Sequence, residues 1–370
     1  MLRRIPCVLM RGGTSKGLFF LATDLPSDPA ERDRTLLAAM GSPDSRQIDG
    51  LGGADPLTSK VAIVAPAPDP AVGDVTYLFA QVGVDRAVVD TTPNCGNMLA
   101  AVAPFAICQG LVVPTGDETL VRVFNINTQT VADVIVQTPG GHVTYEGNLQ
   151  IDGVPGTAAP IKIDFRNAAG SKTNALLPTG ALYEKIDGVP VSCVDMAMPM
   201  LLLPAAALGK TGYETQDALN ADTAMLAYLE RLRLEASWRM GLGDARDRVI
   251  PKLALIAPPQ GGNGVCSRYF MPHACHAAHA VTGAVCIAVA AALEGSVVHA
   301  FAMVPSGQQR VVRIEHPSGF LDVELEIYDS GSAVQLKRAA VLRTARILFD
   351  GHVLVPGAPN ARRNPRQPDF

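Results

Sequence analysis

Two helical stretches of this chain, 97–108 and 281–293, have no polar face. The first runs Asn97-Met98-Leu99-Ala100-Ala101-Val102-Ala103 and continues through Pro104 to Cys108, with Pro104 a candidate kink; the second is Val281–Leu293, mostly Ala and Val. A helix that is apolar on every side must be enclosed by other elements. The order of elements around the two is also shared. In the first half a strand leads to Asn94-Cys95-Gly96-Asn97, the apolar helix, strands, and Thr138-Pro139-Gly140-Gly141. In the second, a strand leads to a His-rich turn ending Thr282-Gly283-Ala284, the apolar helix, strands, and His316-Pro317-Ser318-Gly319. This order reads as an ancient duplication into two similar domains. The alternative is two unrelated α+β halves of similar composition. Under duplication, a site between the domains would receive a helix N-terminus from each side.

Composition fits such a core. Of 370 residues, 48% are hydrophobic, 18% charged and only 5% aromatic, so the interior is built from Ala, Val, Leu and Ile. A net charge of −4 leaves no basic footprint for nucleic acid. The seven cysteines (Cys7, Cys95, Cys108, Cys193, Cys266, Cys275, Cys286) are odd in number, irregularly spaced and without a CxxC. That argues against a disulfide framework or structural zinc and for a reducing, cytoplasmic setting. The apolar run Ile5–Met10 is too short for a signal peptide. The uncharged stretch 274–293 has the length of a membrane span but holds His276, His279 and Gly283, so it reads as a buried helix, with no membrane partner.

The remaining elements follow from local signals. Ile5–Met10 and Gly17–Leu21 read as a hairpin. Asp28-Pro29-Ala30-Glu31 is a helix start with a capping Asp and a proline at the first position, and that helix reaches Met40. Strands are expected at 61–65, 75–84, 120–126, 131–137, 142–146, 191–196, 201–206, 253–257, 265–271, 298–304, 311–315 and 321–327. One long amphipathic helix is expected over 217–240, with Met225, Leu229 and Leu232 on one face. Residues 341–355 read as a final helix or strand. The domains are expected at 1–184 and 185–344, with 345–356 returning to the first and 357–370 a disordered tail.

Two motifs carry the chemistry. Cys95 lies at a helix start between Asn94 and Gly96, where free N–H groups and the helix dipole favour a thiolate and attract carboxylates. Gly96 lets the backbone approach a ligand. The plain alternative is a buried cysteine. Lys60 ends the loop Gly52-Gly53-Ala54-Asp55-Pro56-Leu57-Thr58-Ser59 and enters the apolar strand Val61-Ala62-Ile63-Val64. Partial desolvation there favours the neutral amine, a candidate base; the alternative is an exposed strand-edge lysine. Arg11-Gly12-Gly13-Thr14-Ser15-Lys16-Gly17 lacks P-loop spacing and reads as a donor loop for a carboxylate, or simply as a tight hairpin turn. His273, His276 and His279 have spacing suited to zinc, but without a H-E-x-x-H or a carboxylate partner they read as cleft or interface residues, with no metal.

Together these motifs resemble the PrpF-like family of the diaminopimelate-epimerase-like fold. The resemblance spans nearly the whole chain. It rests on Met10-Arg11-Gly12-Gly13-Thr14-Ser15-Lys16-Gly17, Ile48-Asp49-Gly50-Leu51-Gly52-Gly53, Thr58-Ser59-Lys60-Val61, Asn94-Cys95-Gly96-Asn97 and Arg343-Thr344-Ala345-Arg346. Ala54-Asp55-Pro56-Leu57-Thr58-Ser59-Lys60 is similar to the 4-oxalomesaconate tautomerase/isomerase branch, whereas the 2-methylaconitate isomerase branch tends to carry small hydroxyl residues at Asp55-Pro56-Leu57. The resemblance implies an α+β fold of two pseudo-symmetric domains, each a sheet curled around a central buried helix. It implies a cofactor-independent isomerase of small polycarboxylates in aromatic-acid (gallate/protocatechuate) degradation, acting as a homodimer.

The family's lysine after Thr-Ser matches Lys60, the expected base, and its cysteine matches Cys95, the expected partner acid or a group that polarises the substrate. The epimerase relatives have a second cysteine where this chain has His279-Ala280-Val281-Thr282-Gly283, so a symmetric two-cysteine racemase does not follow. Where related isomerases show Pro-His-Arg, this chain has Pro272-His273-Ala274, and Arg268 is the candidate replacement cation. Expected carboxylate contacts are Thr14, Ser15, Ser59, Asn94, Gly96, Asn97, Arg268, His273, Thr282 and Gly283. Three alternatives stay open: 2-methylaconitate or aconitate isomerisation, a non-catalytic polycarboxylate-binding protein, and a zinc hydrolase using the histidines.

Overall fold

The computed structural model describes residues 2–165, 168–246, 248–271, 273–329 and 334–357. The chain divides into two compact units. Unit 1 holds the chain to Leu111, Phe124–Thr130 and the chain from Arg346; unit 2 holds Val112–Val123 and Val131–Ala345.

Unit 1 begins with β1 (Leu2–Gly12) and β2 (Ser15–Leu21), an antiparallel hairpin whose last pair is Gly12 with Ser15. Helix α1 (Pro29–Met40) starts where the capping signal places it: the Asp28 carboxylate accepts from the Glu31 N–H at 2.8 Å. Strand β3 (Lys60–Pro66) lies parallel to β2, β4 (Val75–Val82) lies antiparallel to β3, and the short β5 (Val89–Asp90) follows. Helix α2 (Gly96–Cys108) runs on through Pro104 with nearly every residue buried. The face of β3 carrying Val61 and Ile63 packs on α1 through Leu36, Ala39 and Met40. Strands alternate faces, so Lys60, Ala62 and Val64 point to the other side, the side of α2.

Unit 2 comprises β6 (Glu118–Asn125) and β7 (Thr130–Gln137), both begun or ended in the short Phe124–Thr130 piece of unit 1, then β8 (Ile161–Asp164), β9 (Glu184–Ile186), β10 (Val189–Asp195), β11 (Pro199–Pro204), α3 (Gln216–Ala221), α4 (Thr223–Arg239), β12 (Lys252–Ala257), β13 (Val265–Phe270), α5 (Val281–Ala292), β14 (Gln309–His316), β15 (Gly319–Asp329) and β16 (Val334–Arg343). The sheet curls around α5. Val194, Leu202, Ala254, Ile256, Ile314, Val323 and Val341 all close on Ala284–Ala292. On the opposite face Leu201, Leu253 and Leu255 pack against Leu229, Leu232 and Ala236 of α4. The final strand β17 (Ala345–Pro356) pairs with β1 and sends Val353 and Val355 into the α1 core.

Four local expectations are corrected. The helix expected over 217–240 is two helices, α3 and α4. Asp222 leaves helical geometry (φ −86°, ψ 78°) because its carboxylate caps α4 at the Met225 N–H, 2.9 Å, and binds Lys210 at 2.7 Å. Residues 142–146 form no ladder. They follow two left-handed glycines, Gly140 and Gly141, and make single bonds to either side, Thr144 N–H to Gln137 O and Ala159 N–H to Tyr145 O. Residues 298–304 are mostly turn: the Phe301 and Ala302 N–H groups return to Val298 O, and only Met303 bridges to Gly264. Residues 341–355, read as one helix or strand, are split between β16 and β17. The expected tail lies, from 358 on, outside the described residues. No helix among the described residues is long and apolar enough to cross a membrane.

Candidate active site

In unit 1 the β1–β2 turn is pressed against the start of α2. A Cβ on Gly12 would lie 2.3 Å from Asn97 O, and one on Gly13 2.2 Å from Asn97 Oδ1. Only glycine permits that approach, and at Gly13 the φ of 52° also favours it. Thr14 is fixed by the Asn97 Nδ2 donor at 3.0 Å. Ser15 is buried, and its hydroxyl has no partner. Ser15 shares a strand face with Gly17, whose Cβ position lies 2.8 Å from Met98 Cε, so the unmet hydroxyl is on the α2 side. A buried polar atom without a partner is uncommon.

Cys95 is the N-cap residue of α2, half-buried, with extended backbone. Its carbonyl accepts the Tyr77 hydroxyl at 3.3 Å, and Tyr77 is fully buried. Burial, then the nearby Cys95, pushes the Tyr77 phenol well above its usual range, so it stays a neutral donor. Asn94 is held by Asn125 Nδ2 at 2.6 Å. No side chain caps α2. The same holds for α5, whereas α1, α3 and α4 are capped by Asp28, Thr215 and Asp222. The first N–H groups of the two central helices are thus without a side-chain cap.

Lys60 is buried at 7% exposure. Its Nζ donates to Gln81 Oε1 at 2.6 Å and sits 5.1 Å above the Phe79 ring. Gln81 Nε2 in turn donates to Pro56 O (3.0 Å) and Ser59 O (2.8 Å). Tyr77, Phe79 and Gln81 alternate along one face of β4, so a single strand face supports both Cys95 and Lys60. Neither Lys60 nor Lys16 has a carboxylate partner among the described residues. Ser59 is fully buried, and its hydroxyl is used internally: it donates to Val82 O at 2.9 Å and accepts from Gln47 Nε2 at 2.7 Å. Gln47 also accepts the Ala54 N–H, so one buried amide folds the whole loop before Lys60. Gln47, Tyr77, Phe79, Gln81 and Asn125 carry no motif in the sequence; their one signal is a polar group inside apolar strands or beside a motif.

Arg268, His273, Thr282 and Gly283 belong to unit 2. The Arg268 guanidinium is largely committed, with Nε donating to Glu214 O at 2.8 Å and Nη1 to Ser267 O at 3.1 Å. His273 is exposed, 3.9 Å from Glu230. Gly283 gives close packing: a Cβ there would meet the Tyr269 ring at 2.5 Å. His279 Nδ1 bonds Ala280 O at 2.9 Å and so carries the hydrogen, leaving Nε2 to accept the Ser267 hydroxyl at 3.1 Å. With both nitrogens used, His279 is a packing residue, and no group of three or more metal-ligating side chains converges among the described residues.

Burial pushes His279 down to about 3 and His316 down to about 4, with Arg343 the next cause for His316. Both values fall below that of an unfolded histidine, so the unfolded chain binds more protons in acid. The stabilisation is complete above pH ~6.5 and is lost as pH falls toward the folded values. Urea midpoints should fall from pH 7 to pH 5, and His279→Gln should flatten that slope by up to about 1.4 kcal/mol per pH unit. An unchanged slope would place the acid sensitivity elsewhere.

The model of the PrpF protein family matches residues 2–356. Over 350 residues the chain is 52% identical to a (4E)-oxalomesaconate Delta-isomerase of Novosphingobium sp. (strain KA1), covering 95% of this chain and 97% of that one. Over 353 residues it is 50% identical to a 4-oxalomesaconate tautomerase of Pseudomonas putida KT2440, covering 95% and 96%. The crystal structure of a methylitaconate-delta-isomerase superposes with a TM-score of 0.83 at 36% identity, covering 99% of this chain and 100% of that one. The two curled sheets with central buried helices are the diaminopimelate-epimerase-like fold. The chain belongs to the PrpF family and is an isomerase.

Proposed function

We propose that this isomerase moves a proton along 4-oxalomesaconate in a cofactor-independent 1,3-shift, as a cytoplasmic step in the breakdown of aromatic acids. The observation that carries the reading is the amine of Lys60, buried, bound by Gln81 and without a carboxylate partner among the described residues, on the strand face that also supports Cys95. Two relatives at or above half identity are named for oxalomesaconate, and others at 53% are named only as a putative isomerase. The loop that resembles that branch, Asp55-Pro56-Leu57, is tied to Lys60 through the Gln81 bond to Pro56 O.

The reacting carbon lies between a keto group and an alkene, so loss of its proton gives a dienolate with charge spread onto oxygen. The Lys60 amine takes that proton. Cys95 returns one two carbons away, and ammonium and thiolate then exchange back through solvent, so no atom is gained or lost. The uncapped start of α2, with Thr14, Ser15 and Asn97 beside it, holds a carboxylate and stabilises the dienolate. The cation at Lys16 and the cation at Arg11 favour an anionic substrate.

The test is incubation with 4-oxalomesaconate in D₂O, followed by ultraviolet absorbance and proton NMR, with 2-methylaconitate and methylitaconate in parallel. Fast spectral change with deuterium entering the allylic positions is the expected result. Turnover of a methylated substrate in preference would move the protein to the other branch, and no turnover of any would leave a binding protein.

A further inference from the structure

Unit 2 contains a second lysine built like Lys60. Lys60 opens β3, paired with Gly17 on the parallel β2 and Gln81 on the antiparallel β4. Lys252 opens β12, paired with Met200 on the parallel β11, one residue ahead of the antiparallel pair Leu253–Phe270. Lys252 shares its strand face with Ala254 and Ile256, which pack on α5, as Lys60 shares its face on the side of α2. Both are buried, Lys60 at 7% exposure and Lys252 at 4%. In both units the antiparallel partner strand leads on to an uncapped central helix.

The two lysines differ in their partners. Lys60 has Gln81. The β12–β13 ladder begins only at Leu253–Phe270, and Lys252 has no hydrogen-bond or ion-pair partner among the described residues. The Arg233 charge on α4 disfavours the Lys252 ammonium, and burial, with Lys252 a lesser cause, pushes His276 in the turn before α5 down, toward the neutral imidazole. The Glu230 carboxylate is bound by Arg233 at 2.6 Å. Burial and then Arg233 push the Lys252 amine down to about 8. Holding a largely buried ammonium without a counter-charge is costly. An incoming anion removes that cost.

We propose that Lys252 marks a carboxylate-binding site of unit 2, the counterpart of the Lys60 position, which takes one carboxylate of a di- or tricarboxylate. His276 contributes its Nε2 hydrogen, since its Nδ1 already accepts the Ala278 N–H at 2.9 Å. The inference does not depend on which compound the enzyme isomerises.

The probe is tricarballylate, which has the charge of a tricarboxylate and no reacting double bond. Calorimetric titration should show Lys252→Met weakening binding by about tenfold or more, as loss of a hydrogen bond to a charged group does. In the wild-type protein, a brief acetic anhydride pulse read by mass spectrometry should show Lys252 acetylation suppressed by saturating tricarballylate. Equal binding by the folded variant, or labelling of Lys252 unaffected by the probe, overturns the proposal, as does absence of tricarballylate binding to the wild type. Steady-state kinetics separates the sources of the carboxylate. A raised KM with kcat retained identifies the substrate's own, and an unchanged KM with weakened tricarballylate binding identifies a separate anion. If the wild type turns over no candidate substrate yet Lys252 is still protected, the reaction assigned above falls and the site stands.

Discussion

Lys60→Met is expected to lower kcat/KM on 4-oxalomesaconate by about 10²–10⁴-fold and to stop deuterium from entering the substrate, because a positioned general base contributes that much. Methionine nearly matches the lysine chain in length and suits the apolar strand. What it removes is the amine that bonds Gln81 at 2.6 Å. The Gln81 carbonyl then loses a donor, at about 1–3 kcal/mol, which is small against the ~5–15 kcal/mol of a folded domain. The variant should therefore fold, and its melting curve checks this. Lys60→Arg separates the two things an amine can do. Arginine keeps the positive charge that attracts carboxylates but does not give up its proton at any working pH. Its KM should stay within a few-fold of the wild type while kcat falls as far as in Lys60→Met. Recovery of kcat in Lys60→Arg would make Lys60 a binding residue and move the base elsewhere.

The parts of this fold legible from sequence are those fixed by local chemistry or by burial pattern. The Asp28 cap and Pro29 set the start of α1 because the interactions lie within four residues. The two central helices are legible because a run such as Val285-Cys286-Ile287-Ala288-Val289 has no side that water could wet. The break at Asp222 was hidden because the apolar spacing Met225, Leu229, Leu232 belongs wholly to α4, while Asp217–Ala221 extends the same helical composition. What decides the break is a capping carboxylate with a distant lysine, Lys210, on it. The strands expected at 142–146 and 298–304 have β-branched residues but no neighbour offering a ladder, and a strand exists only by pairing.

The site divides in the same way. Lys60, Cys95 and the glycines of the 12–17 turn stand in contiguous motifs. Gln81 lies 21 positions from Lys60 and Gln47 lies 12 from Ser59, and each acts through one amide reaching across the sheet. Their neighbourhoods show at most a polar group inside an apolar strand or beside a motif, and not what that group reaches. Lys252 is hidden for a further reason: Ile250-Pro251-Lys252-Leu253 shares no residues with Thr58-Ser59-Lys60-Val61 beyond the lysine, and only the strand register aligns the two.

Cys95→Ala gives the complementary expectation, a loss of product formation of about 10²–10⁴-fold without loss of proton abstraction. If Lys60 takes the proton and Cys95 returns one to the far carbon, removing the thiol strands the dienolate. It can then only recapture a proton at its original position, from the Lys60 ammonium after that has exchanged with solvent. In D₂O the recovered substrate should gain deuterium at the allylic carbon faster than product appears, the reverse of the wild-type order. The backbone should tolerate the change, because the groups that fix Cys95 are its carbonyl, which accepts Tyr77 at 3.3 Å and the Leu99 N–H at 3.0 Å, and not its sulfur. Cys95→Ser keeps a donor of similar size but a much weaker acid, so it should lie between alanine and wild type. Loss of exchange and turnover together in Cys95→Ala would instead make Cys95 the residue that starts the reaction, with Lys60 supplying the returning proton, and the two roles would have to be exchanged.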